Sequence, residues 1–145
     1  MASGKGNTWA QNIIDLVLIA TAIANIADNA ASSPLTNLYV ETHTATLSGS
    51  SAQNTSESAY TSYARVAVAR SSSGWHRSSQ TGSNVAAITF PAATGGSETE
   101  TYGSVGTASS STGKVLYFGA LAASLAVSSG ITPAFAIDAF AVAES

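Results

Sequence analysis

The sequence predicts a mainly β fold: a small antiparallel β-sandwich or jelly-roll-like domain with one N-terminal α-helix. Three observations carry this expectation. A helical apolar period near the N-terminus gives way, after Pro34, to short segments rich in β-branched and aromatic residues. Turn signals then recur about every eight to twelve residues, the punctuation of a sandwich or barrel. The chain shows no repeat of fixed period and no heptads.

Residues 1–7 (MASGKGN) read as a flexible arm, and residues 8–145 as one domain. Thr8 and Gln11 have capping-box spacing, which places a helix start there. Trp9, Ile13, Leu16, Val17 and Ala20 recur at helical spacing, predicting a helix from Trp9 to Ala20. Thr21 to Ala31 reads as a further short helical turn, stopped by Ser32, Ser33 and Pro34. The apolar run from Ile13 to Ala27 carries Asp15 and falls short of the roughly 20 residues of a membrane span. A signal peptide would need an unbroken apolar centre where Asp15 stands. The run reads as a buried helix.

Leu38 to Leu47 is the first predicted strand, with Leu38, Val40 and Thr42 on one face and Tyr39, Glu41 and His43 on the other. Gly49 to Glu57 is polar and aperiodic, an exposed loop. Tyr63 to Arg70 alternates clearly, with Arg65 and Arg70 on opposite faces. Trp75 to Ser79 is a short strand, and Val85 to Phe90 another, closed by Pro91. Gly95 and Gly96 mark a turn before a strand from Thr99 to Thr107, whose Gly103 and Gly106 suggest bulges or close backbone approach. Ser109 to Gly113 reads as a hairpin loop leading into Lys114 to Ala122. Leu125 to Val127, Ile131 to Ala136 and Phe140 to Ala143 complete about seven to nine strands.

Charged residues make up 9% of the 145-residue chain, against roughly 25% in an ordinary soluble domain. A subunit packed into an assembly has less need of surface charge than a free monomer. The net charge is −3, and Arg65, Arg70 and Arg77 are the only arginines. Phosphate neutralisation needs several convergent cations, so nucleic-acid binding is not expected, and neither is membrane insertion. The absence of cysteine excludes disulfides and thiolate metal sites.

From Tyr60 to Arg70 the chain reads YTSYARVAVAR, followed by Gly74-Trp75. Ala86 to Gly96 reads AAITFPAATGG. Gly106 to Ser110, Gly113 to Tyr117, Gly119 to Leu121 and Gly130 to Pro133 follow in order, and Ser33 to Val40 with His43-Thr44-Ala45 stand upstream. These blocks resemble a family of small tailed-phage virion proteins commonly labelled tail fibre-like. The resemblance covers nearly the whole chain after the helix. It implies a place on the virion and brings no catalytic residues. Relatives tend to have a tight turn after the His-Thr-Ala stretch, where this chain has the longer polar segment Thr46 to Thr55. That segment reads as a tolerated surface insertion, with partner-specific contact as the alternative.

The candidate chemical groups fall short on number or geometry. A Ser-His-Asp triad could draw on His43 or His76 and Asp15, Asp28 or Asp138, but no G-x-S-x-G elbow occurs. Glu41 and His43 share a strand face and are too few for zinc, so they read as a solvated or interface-facing pair. Glu98 and Glu100 share a face and read as a solvated strand edge in preference to paired carboxylates for glycoside cleavage. The arginine group could pair within the fold or meet a neighbouring subunit. Asn54-Thr55-Ser56 fits a glycosylation sequon that a protein made in bacteria would not use. Trp9, Trp75 and Tyr117 read as core anchors; an exposed Trp75 beside His76 and Arg77 would favour glycan binding. No residue is assigned a catalytic, metal or cofactor role, and no enzyme activity is expected.

Two functions follow. The first is a capsid decoration or cement protein that stabilises the head lattice against the major capsid protein, located on the head surface. The alternative is a tail component, either a fibre-like module or a receptor- or glycan-binding module. Either way the expected partners are other virion subunits and further copies of the chain, as a dimer or trimer.

Overall fold

The computed structural model describes residues 7–23 and 34–144. Residues 1–6 of the expected arm, and most of the helical turn expected over 21–31, lie outside the described residues. Asn7 belongs to a helix.

The protein is mainly β, with antiparallel sheets and one N-terminal helix, as the sequence predicts. Helix α1 spans Asn7–Ile14 and widens into a π-helical turn over Asp15–Ile19. Nine strands follow among the described residues. They are β1 (Asn37–His43), β2 (Val66–Ala69), β3 (Trp75–Ser78), β4 (Thr81–Asn84), β5 (Ile88–Thr89), β6 (Ser97–Gly106), β7 (Val115–Ser128), β8 (Ala134–Phe135) and β9 (Ala141–Ala143). They fall into two compact units, which interleave along the chain.

The first unit takes residues 1–37, 69–87 and 136–145. It holds α1 and the sheet ordered β3-β4-β9. Ala10, Ile14 and Leu18 recur every four residues and are fully buried, so the core-facing stripe is one face round from the expected Trp9, Ile13, Leu16, Val17 and Ala20, of which Trp9 is exposed and the rest are half-buried. Gly82 on β4 allows the helix to lie close, because a Cβ there would run into the Leu18 and Ile14 side chains. Thr8, the expected cap, instead lies inside the first turn of the helix. The helix ends at Ala20, in the left-handed region at φ 63°. Thr21 N–H donates to the Asp15 carbonyl, and the Arg70 guanidinium donates to the carbonyls of Leu16 and Val17. Orphan carbonyls at a helix C-terminus are well matched by a cation. Trp75 is buried and meets Phe140 edge-on, so it is a core anchor as expected. Trp9 is 38% exposed and is not.

The second unit takes residues 38–68 and 88–135. Its main sheet is ordered β2-β1-β6-β7, with β5 and β8 paired separately. Tyr60, Ala93 and Val127 form a buried cluster with Tyr63 and Leu125 packed on it. Tyr63 stacks on Phe90, which meets Phe135 edge-on. Several strand predictions need correction: Tyr63 to Arg70 contributes only Val66–Ala69 (β2), and Ile131 to Ala136 only Ala134–Phe135 (β8). Val85 to Phe90 contributes only the two residues of β5, while Thr81–Asn84, without an apolar signal, forms β4. The predicted strands Lys114 to Ala122 and Leu125 to Val127 are parts of one strand, β7. Gly106 does stand at a register shift, as its position suggested. No described helix is long and apolar enough to cross a membrane.

Candidate functional site

The groups with the most chemical potential lie inside the second unit. Glu41 on β1 is the direct cross-strand partner of Ser104 on β6, and His43 stands two residues along. Both are fully buried, which corrects the expectation of a solvated or interface-facing pair. The cause is the segment after β1, which folds back over them. Gln53 from that segment is also fully buried. Its amide Nε2 donates to Glu41 Oε2 at 2.7 Å and to the Ala108 carbonyl at 3.2 Å, while its Oε1 accepts from Ala108 N–H at 2.8 Å. Gly106 and Gly113 leave room for this carboxamide, since a Cβ at either would occupy its place. The Thr46 to Thr55 stretch, read as a surface insertion, is therefore partly a plug over a polar interior.

Arg65 closes the cluster. Its guanidinium grips Glu57 bidentately at 2.6 and 2.7 Å and donates to the carbonyls of Ala108 and Ser111. Arg65 Nε also stands 3.0 Å from Glu41 Oε2. One buried and one half-buried carboxyl thus share one cation, and burial pushes the Glu41 carboxyl up to about 7. Burial lowers His43. The donor inventory fits these directions. His43 Nδ1 faces the Thr55 carbonyl at 2.9 Å, and a carbonyl can only accept, so Nδ1 carries a proton. His43 Nε2 and Glu41 Oε1 both lie against Ser104 Oγ, 2.8 Å from the histidine. With Glu41 ionised, Ser104 donates to it and His43 must hold protons on both nitrogens. With Glu41 protonated, its hydroxyl donates to Ser104, which donates to a neutral His43. Both forms hold the same protons, and burial favours the neutral one.

Glu98 and Glu100 are also structural. Glu100 is 1% exposed and accepts from Thr42 Oγ1 at 2.9 Å and Ser58 Oγ at 3.2 Å. Burial raises its pKa. Glu98 accepts from the N–H groups of Ala59 and Tyr60. The expected solvated edge is instead a pair of anchors for the segment that crosses β1 and β6.

In the first unit, Ser83, His76 and Asp138 do come together. Ser83 Oγ lies 3.1 Å from His76 Nε2 and 2.9 Å from Asp138 Oδ1, and that same His76 Nε2 lies 3.0 Å from Asp138 Oδ1. A nucleophilic triad needs the carboxylate on the opposite ring nitrogen, where it orients the base. Here all three groups meet at one nitrogen, so the carboxylate competes with the serine for it. Arg77 pairs with Asp15 at 2.6 Å, and Arg70 caps the helix. All three arginines therefore make contacts within the fold. Trp75 is buried, which removes the glycan platform its exposure would have suggested. Among the described residues no group of three metal-ligating side chains occurs.

The surface feature that remains is β7. It stands at the end of the sheet order, with β6 on one side and no described strand on the other. From Val115 to Thr132, twelve of eighteen residues are exposed, five are half-buried and Val127 alone is buried. Phe118 is 42% exposed and Ile131 39%. No charged residue or histidine occurs between Lys114 and Asp138. Exposure on both faces of an apolar edge strand is what a soluble monomer avoids and an assembling subunit uses.

A family model described as podophage GP4 fiber I protein gp80 matches residues 6–143. No curated protein matches the chain. The match supports the tail-component alternative in place of capsid decoration.

Proposed function

This chain belongs to the podophage GP4 fiber I protein family, and on that premise we propose that it is a structural subunit of the phage tail fibre, working by binding other virion subunits and not by catalysis. The observation that carries the reading is the family match across residues 6–143. The chemistry of the fold supports it. Each candidate catalytic group in the second unit is spent on holding a segment in place, and the Ser83-His76-Asp138 group has the wrong geometry for a relay. The chain lacks repeats and heptads, so it serves as a globular module of the fibre and not as its shaft. The two units interleave along the sequence, and residues 8–145 act as one module. It works as a homo-oligomer, a dimer or trimer, at the tail of the virion.

The test is location and copy number. Quantitative mass spectrometry of purified particles, with immunogold labelling, should find the chain at the tail and far below the major capsid protein in abundance. Parity with the capsid protein, or label spread over the head, would restore decoration and remove this reading.

A further inference from the structure

We propose that the open edge and exposed apolar faces of β7 are the surface on which a second copy of this chain docks. The proposal deepens the fibre reading and rests on it for its biological setting; the physical argument is independent. Three observations select the occupant.

The first is hydrogen bonding. Between Glu100 and Tyr102 of β6 the register jumps from Leu125 to Ala120 on β7, so Leu121 to Ser124 have no ladder partner on β6. Such a bulge takes these residues out of the regular ladder, and as the last strand of its sheet β7 turns its outer backbone donors and acceptors toward no described strand. An incoming strand satisfies groups of this kind by adding to the sheet.

The second is charge. Val115 to Ile137 is a run of 23 residues without Asp, Glu, Lys, Arg or His. A partner recognised by charge complementarity has nothing to engage, and one rich in charge would bury it unpaired. The occupant must be uncharged and apolar over a comparable length. The same strand of a second copy meets that demand, and it meets no like-charge repulsion. This is the self-complementarity of an isologous contact.

The third is extent. Stable interfaces use roughly 20–30 residues a side. The exposed and half-buried residues from Val115 to Thr132 number seventeen (twelve plus five), close to that size from one continuous segment. Natural edge strands are protected by lysine or proline. Neither occurs between Val115 and Thr132.

The test uses the full chain, which contains no cysteine. Sedimentation velocity at roughly 100 µM protein should give a multiple of the 14.5 kDa chain mass. Phe118→Lys with Ala122→Lys changes two exposed side chains, so the far-UV circular dichroism should be unchanged. Self-association should weaken by roughly a hundredfold or more. Ser50→Lys, on the exposed loop of the same unit, should leave assembly as it was. Single cysteines at Phe118, Ala120 and Ala122 should cross-link between copies under mild oxidation, while one at Ser50 should not. A monomeric wild-type chain, or a lysine variant that assembles as well as wild type, overturns the proposal. Mass spectrometry of particles separates the two readings. A chain that pairs through β7 but is missing from particles upholds this surface and removes the fibre role. A chain present in particles but monomeric in solution upholds the role and overturns the surface.

Discussion

Strands β1 and β7 belong to one sheet, separated only by β6, and they invert the usual rule for what is inside. On β1, Glu41, Thr42 and His43 are buried to within 2%. On β7, Val115, Leu116 and Leu121 are half-buried and Phe118 is exposed. A monomer selected for solubility alone would exchange these two populations. The difference separates two tasks. The polar interior fixes one geometry, because each hydrogen-bonding group has a particular partner, while apolar packing tolerates several. The apolar exterior is left for association, which needs area and little charge. Buried polar networks are costly when incomplete, so the two strands should respond oppositely to substitution.

The largest response is expected at Arg65. Its guanidinium holds Glu57 and lies beside Glu41, both in or near the buried interior. Arg65→Ala strands those carboxyls without a cation and frees the carbonyls of Ala108 and Ser111. The expected cost is about 3–5 kcal/mol in urea unfolding. A loss below about 1 kcal/mol would mean that the network does not organise the interior, and the contrast with β7 would fail.

Glu41 sharpens the comparison through pH. Its folded carboxyl titrates near 7, against an ordinary value of 4.5. Between those values the folded state keeps a proton that the unfolded state has lost. Stability therefore declines as pH rises from about 4.5 to 7, by something on the order of 3 kcal/mol. Glu41→Gln mimics the protonated carboxyl and should abolish that decline. The variant should match wild type near pH 4.5 and exceed it near pH 8. His43, lowered by burial, acts in the opposite sense, losing stability as pH falls below its ordinary value of 6.5. It is present in both proteins but shares Ser104 with Glu41, so the difference between their profiles reports Glu41 together with its effect on His43. Parallel profiles would show that Glu41 is ionised throughout.

The sequence made the apolar pattern legible and left the polar pattern hidden. β-Branched and aromatic content located β1, alternation located β2, turn signals located β3, β6 and much of β7, and the helical recurrence of Trp9, Ile13, Leu16, Val17 and Ala20 located the helix, though its buried face is Ala10, Ile14 and Leu18. Local periodicity reports burial by apolar residues. Glu41, His43, Gln53 and Glu100 are buried by partners 12 to 63 positions away, and no local pattern records those partners. Strand β4 was missed because Thr81, Gly82, Ser83 and Asn84 carry no apolar signal; its glycine is chosen for the approach of the helix. The open edge of β7 was equally out of reach, because an apolar strand looks the same in sequence whether covered or bare. One sign was present: a charge-free run of 23 residues from Val115 to Ile137.

Gly113 tests whether the plug is as rigid as its hydrogen bonds imply. A methyl there would take the space of the Gln53 carboxamide and crowd Ala108. Gln53 is buried and bonded at three points, so it cannot swing aside without leaving Glu41 and Ala108 unsatisfied. Gly113→Ala should cost about 1–3 kcal/mol. Gly119→Ala on β7 serves as the control, since nothing lies within 4 Å of its Cβ position.

The smallest effect is expected on β7 itself. Because association adds to apparent stability, the measurement belongs at low protein concentration, in an Ala122→Lys background whose monomeric state is checked by sedimentation. There Phe118→Ser removes a ring that is already 42% exposed. Unfolding free energy should change by no more than about 0.5 kcal/mol, the range of ordinary surface substitutions. A loss of about 2 kcal/mol would mean that the ring is part of the subunit's own core. The inversion between the two strands would then be apparent only, with β7 serving the fold as β1 does.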